Sequence, residues 1–255
     1  MAEYGSVRRA SAGARTAEID AGLRAHMNSV YGLMSIAMAI TAIVAYVVGT
    51  DFANAINGQP TMLMSEGMLQ AMFTSPGRYI VMFSPLVVVI LFSASINRIS
   101  KTAAQGLFAL FAALMGLSIS WIFAVYTDMS IAHTFLITAI AFAGLSLWGY
   151  TTKKDISGWG SFLIMGVIGL IVAMVVNIFI ESSALQFAVS AIGLLIFAGL
   201  TAYDTQKIKT TYLQMVQVPG GQEWLQKGAI MGALSLYLDF INMFMFLLHF
   251  MGGRE

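Results

Sequence analysis

The chain contains no cysteine. Disulfide staples, thiolate metal sites and cysteine nucleophiles are therefore excluded, and the redox state of its compartment leaves no mark on it. Charge is almost as scarce. Only 10% of the 255 residues are Asp, Glu, Lys or Arg, against about 25% in an ordinary soluble domain. That is too little polar side chain to clothe a water-facing surface. Thirteen basic and twelve acidic residues nearly cancel, to +1, so the basic footprint of a nucleic-acid binder is missing. The three histidines, His26, His133 and His249, are too scattered to suggest a multi-histidine metal site. Nothing in the composition asks for a bound cofactor.

Apolar residues fill the gap. They make up 58% of the chain, and the mean hydropathy is +0.81. Seven long apolar segments follow one another, at 28–49, 79–97, 104–126, 129–149, 160–180, 183–203 and 225–251. A helix needs about 20 apolar residues to cross roughly 30 Å of hydrocarbon. The runs are continuous, not alternating, so they read as helices and not as strands of a lipid-facing barrel. Ala53-Asn54-Ala55 superficially fits a cleavage site, but the apolar core before it and the polar stretch before that are too long for a signal peptide. The sequence therefore predicts an all-α membrane protein, a seven-transmembrane-helix bundle over 28–255, preceded by a polar tail over 1–27.

Lys and Arg set the expected orientation. The tail carries Arg8, Arg9, Arg15 and Arg24. Arg98 and Lys101 follow the second segment, Lys153 and Lys154 the fourth, and Lys207, Lys209 and Lys227 the sixth. The loop after the first segment has only Arg78, and the loops after the third and fifth have Asp128 and Glu181 instead. The N-terminus is expected to be cytoplasmic. Arg254 leaves the side of the C-terminus open, since a seventh segment that only re-enters the membrane would return it to the cytoplasm; seven full spans are favoured. Two loops stand out: 50–78, with the apolar Met62-Leu63-Met64, and 210–224, with Pro219-Gly220-Gly221.

Ionisable groups at membrane depth are costly and suggest function. Two qualify. Asp239 lies in Leu234-Ser235-Leu236-Tyr237-Leu238-Asp239-Phe240-Ile241-Asn242, about 15 Å or more from the start of its helix at 1.5 Å per residue. It must be protonated or partnered there. Asp204, in Tyr203-Asp204-Thr205-Gln206-Lys207, looks shallower, and also fits a solvated surface pair with the lysine three residues on. Because the sixth and seventh segments are consecutive, the two carboxylates meet if the helices pack face to face and the sixth extends past Lys207 or tilts. Two carboxylates in a low-dielectric site rarely both ionise; they share a proton. Such a pair suits a pH sensor or a minimal calcium site. Arg98 is a third candidate, as partner to one aspartate or as a headgroup-directed arginine. Asn242, one turn after Asp239, is a supporting candidate. Gly228 and Gly232 form a G-x-x-x-G face for close helix approach.

Three blocks resemble the Bax inhibitor-1 family, also called the transmembrane Bax inhibitor motif family. The run Gly232-Ala-Leu-Ser-Leu-Tyr-Leu-Asp-Phe-Ile-Asn242 resembles its last helix, and Ala202-Tyr203-Asp204-Thr205-Gln206-Lys207-Ile208-Lys209 its sixth. Gly149 to Gly160 (GYTTKKDISGWG) resembles its loop between helices 4 and 5. The resemblance implies a bundle with helix 7 central and Asp204 and Asp239 as a sensor pair, Tyr203 beside the first and Arg98 bonded to one of them. It implies a pH-sensitive calcium leak in a bacterial inner membrane, with calcium and protons as the ions. Cell-death suppression in eukaryotic members and association with a membrane protease in some bacterial ones imply an alternative, a non-conducting scaffold for a protease or cell-death factor. An intramembrane aspartyl protease also places Tyr-Asp and Asp on consecutive helices. Its Gly-x-Gly-Asp would need glycines where Leu236 and Leu238 stand, and no proline follows Pro219 to supply Pro-Ala-Leu. The expected function is therefore not enzymatic.

Overall fold

The computed structural model describes the backbone of residues 2–253 and the side chains of 17–221 and 224–253. Among these residues the chain is helical, with α1 over Ala2–Ile56, α2 over Glu66–Phe73, α3 over Gly77–Ser95 and α4 over Lys101–Ile119. A 3₁₀ turn at Ser120–Ala124 ends α4, and α5 (Asp128–Thr151), α6 (Trp159–Ile180), α7 (Ser183–Met215) and α8 (Gly221–Met251) complete it. Seven of these, all but α2, are long and apolar enough to cross a membrane. The turns between them carry their own start signals. The side chains of Ser65, Ser100, Thr127 and Ser182 accept from the first free N–H groups of α2, α4, α5 and α7, as N-caps do.

The bundle is apolar outside as well as inside. Phe179 is 83% exposed and Phe162 74%, exposures that only a lipid solvent makes favourable. Helices α3 and α6 are peripheral, with 11% of their most apolar window buried, whereas α8 has 67%. It packs against α1, α4, α5 and α7. The expected central position of the seventh span is what the structure has. Around α8, Tyr237 is fully buried among Phe108 and Phe111. Thr41 donates to the Ala112 carbonyl at 2.8 Å, so its single hydroxyl proton is spent and Tyr237 donates to Thr41 at 2.7 Å.

Two boundaries differ from the sequence reading. No break separates a tail at 27 from the first span; α1 runs through it, and Leu23 and Met27 pack with Tyr212 and Leu225 in a small second core. Likewise α7 continues through the polar residues after Tyr203 to Met215. At 1.5 Å per residue its 33 residues span roughly 50 Å, well beyond the hydrocarbon. Both extensions leave the bundle at the end that carries Lys153 and Lys207, the basic end.

The opposite end is closed by the chain's last described turn. Thr127 donates its N–H to the Gly253 carbonyl at 3.3 Å, and the Gly253 N–H donates to Ser130 Oγ at 2.9 Å. The seventh span thus crosses the whole bundle rather than re-entering it. In the long loop at that end, Asp51 is buried and accepts the backbone N–H groups of Met62, Leu63 and Met64 at 2.6 to 2.8 Å. This turns Met62 and Leu63 outward, 83% and 76% exposed.

Candidate functional site

Small residues bring the acidic helices together. A side chain at Gly149 of α5 would strike the backbone of Ala202 on α7, and one at Gly232 of α8 would meet Ile208 Cδ1 of α7 at 3.0 Å. Close backbone approach through small residues is how membrane helices pack. Gly228 does not share that role: its nearest obstacle is Trp224, on its own helix. Of the expected G-x-x-x-G pair, Gly232 thus meets α7 through the Ile208 side chain and Gly228 meets its own helix.

Asp204 therefore sits within a continuous helix, and α7's extension past Lys207 supplies the depth that a helix ending at 203 lacks. It lies beside Ser235 of α8 and has Lys207 one turn on along its own helix. Asp239, one turn beyond Ser235, is 4% exposed. The charge of Asp204 acts on it across the helix interface. Its Oδ2 is fully buried and has no hydrogen-bond partner among the described residues. A buried carboxylate oxygen without a donor is costly, and a proton or a passing cation removes that cost. Asp204 and Ser235 also line a cavity of about 400 Å³ at the basic end, with His26, Lys207, Lys227 and Gly232.

A second set of hydroxyls meets α7 at Thr205, the residue after Asp204. Tyr31 of α1 bonds Ser146 of α5 at 2.6 Å, and Ser146 bonds Thr205 of α7 at 2.9 Å. Thr205 donates to the Thr201 carbonyl at 2.7 Å, so Ser146 donates to Thr205 and Tyr31 to Ser146. This buried chain ties three helices together next to the acidic pair. Toward the opposite end Phe246 of α8 packs against α7. Its ring lies flush on Gly193 of α7, where a Cβ would come within 2.6 Å of it, and 5.9 Å from the ring of Phe197.

The remaining expected residues lie elsewhere. Arg98 is exposed in the turn after α3, and among the described residues neither aspartate pairs with it. The cation one turn from Asp204 on its own helix is Lys207, while Arg98 lies exposed in the α3–α4 turn. Asn242 donates to the Leu238 carbonyl of its own helix at 2.8 Å, a local bond that does not reach Asp239. Tyr203 faces α6, where a side chain at Gly160 would meet its hydroxyl at 2.5 Å. Sequence reasoning passed over Ser235, Tyr31, Ser146 and Thr205. Ser235 carried a legible signal, since four residues before Asp239 puts it on the same helix face. The hydroxyl chain carried none, because single Ser and Thr residues in apolar helices usually bond their own preceding turn.

No group of three or more His, Asp or Glu side chains that could hold a metal occurs among the described residues. Two carboxylates and one hydroxyl offer four oxygens and one, short of the six to eight that calcium takes. The donor set fits a transient, partly hydrated cation better than a resident one.

A central acidic pair inside a lipid-facing helical bundle defines an integral, multi-pass membrane protein. The chain matches the family described as Inhibitor of apoptosis-promoting Bax1 over residues 23–255, and it belongs to the Bax inhibitor-1 family. It is 42% identical over 236 residues to the inner membrane protein YbhL of Escherichia coli K12, covering 92% of this chain and 94% of that one. A Caulobacter vibrioides protein is 43% identical over 237 residues, 93% and 92% of the two chains. A Streptococcus pyogenes membrane protein is 31% identical over 236 residues, 92% and 96%.

Proposed function

We propose that this protein is a pH-sensitive calcium leak of a bacterial inner membrane, with the N-terminus and the basic end in the cytoplasm. The observation that carries the reading is the buried, donorless Oδ2 of Asp239 within reach of the Asp204 charge, beside a cavity at the basic end. The Lys-rich connections at that end support the orientation, and YbhL, an inner membrane protein by name, supports the location.

Protons and calcium compete for the same oxygens in this mechanism. With the Asp239 carboxyl protonated, the like-charge repulsion is absent and α7 and α8 stay together. With the proton gone, two like charges face each other in a low-dielectric interface and favour separation unless a cation sits between them. The pair thus biases two packings of the same helices. No covalent step is involved, so the reading is of a passive leak and not of an enzyme.

The test is calcium flux into proteoliposomes as a function of pH. The native protein conducts with a pH-dependent rate, and Asp204→Asn plus Asp239→Asn flattens that dependence. A flux profile unchanged by the double substitution removes the mechanism; no flux at any pH in folded protein removes the leak itself.

A further inference from the structure

A second polar cleft, of about 840 Å³, lies at the basic end between the α5–α6 connection and α7. Lys153, Lys154, Lys207 and Lys209 line it, against a single acid, Asp155. That acid is already committed, accepting the Ser157 N–H at 2.9 Å. Lys209 is committed as well, donating to the Tyr150 carbonyl at 2.7 Å with its ammonium 5.3 Å from that ring. Four lysines against one carboxylate leave the cleft with an excess of positive charge.

The connection that presents two of them is prefolded. Gln206 of α7 clamps it from both sides of its amide: Oε1 accepts the Ile156 N–H at 2.9 Å, and Nε2 donates to the Lys154 carbonyl at 2.8 Å. Ile156 is buried beneath the clamp. Trp148 and Trp159, which flank the connection, stack at 6.2 Å and are nearly half exposed. Such tryptophans mark the headgroup level of a membrane, where lysines meet anionic lipid.

We propose that this cleft binds a phosphate group, presented by an anionic phospholipid headgroup, and that Lys207 connects the bound lipid to the acidic pair. Lys207 lines both this cleft and the aspartate cavity. One ammonium cannot serve both anions fully. A phosphodiester that draws Lys207 into the cleft takes counter-charge from Asp204, so lipid composition acts on the pair. The ligand chemistry, a phosphate held by lysines and hydroxyls, is shared by soluble phosphomonoesters; the tryptophans favour the lipid.

The experiment measures phosphatidylglycerol binding to the whole protein in phosphatidylcholine nanodiscs or mixed micelles, by native mass spectrometry and by the shift in thermal midpoint. Lys153→Gln/Lys154→Gln/Lys207→Gln is compared with a charge-matched control from the same end, Arg98→Gln/Lys101→Gln/Lys227→Gln. At about 1 kcal/mol per lysine near an anionic surface, the cleft variant loses on the order of 100-fold in affinity, and the control keeps most of it. Equal losses in the two variants overturn the proposal, because general surface charge then accounts for the binding. Saturable binding of glycerol phosphate in neutral lipid, lost in the cleft variant alone, upholds the phosphate site and assigns it to a soluble ligand. The readout is binding, so its failure is distinct from a failure to conduct calcium.

Discussion

Asp239→Asn is expected to make the folded protein more stable while it disables the proposed gate. The substitution keeps the side chain's shape. It removes the like charge that faces Asp204, and it places an N–H donor at one of the two buried oxygen positions. Leaving a buried acceptor without a partner costs about 1–3 kcal/mol, and Oδ2 is in that situation. A net gain of about 1–3 kcal/mol follows, a factor of roughly 5 to 150 in the folded-to-unfolded ratio. Denaturant unfolding in mixed micelles at neutral pH, followed by the fluorescence of the four tryptophans, reads it. The gain shrinks in acid, where a proton on the pair already removes the repulsion in the native protein. A loss of 1 kcal/mol or more would refute the reasoning, because it would make Asp239 a structural anchor whose interactions outweigh its repulsion. A gain in stability with flux intact would separate the pair's strain from its function.

Three further outcomes follow from other parts of the molecule. Gly149→Val forces a side chain into the Ala202 backbone and costs about 1–3 kcal/mol by overpacking; a neutral effect in the same unfolding assay would mean that α5 and α7 are free to part. Asp51→Ala frees three backbone N–H groups at Met62, Leu63 and Met64, so limited proteolysis in 57–65 should speed up several-fold with the rest of the chain still protected. The Ser157 N–H and hydroxyl hold the Asp155 carboxyl below the usual carboxylate range. A depressed native value means its stabilisation is present at neutral pH and is lost as pH falls below about 4, which slowed amide exchange at Ser157 above that pH, absent in Asp155→Asn, would register.

Much of this architecture is legible in the chain because lipid imposes one rule on every span. Seven apolar runs of sufficient length become seven crossing helices, and a carboxylate as deep as Asp239 can only face inward. The errors have a common cause in residues whose side chains are polar while their backbone is helical. Lys207, Lys209, Thr210 and Thr211 look like a loop after the sixth segment, yet α7 runs through them to Met215. Its far end packs Tyr212 on Leu23 and Met27, a long-range contact that outweighs local polarity. The same contact absorbs the stretch before residue 28 into α1. Arg98 and Asn242 were reasonable as partners by depth alone. Depth does not fix direction: Asn242 finds its acceptor one turn back, and Arg98 falls in a turn that faces outward.

Phe246, seated on the bare backbone of Gly193, also limits how the far side can unseal. A ring that rests on a main chain has no smaller side chain beside it to yield, and a rotamer flip alone leaves its bulk wedged between the two cylinders. On the proposed leak reading, passage past that point calls for the pair of rods to move apart over several turns, a collective motion on the microsecond-to-millisecond scale. If the protein conducts as proposed, single openings should accordingly be slow and discrete, more like a hinge than a flickering side chain.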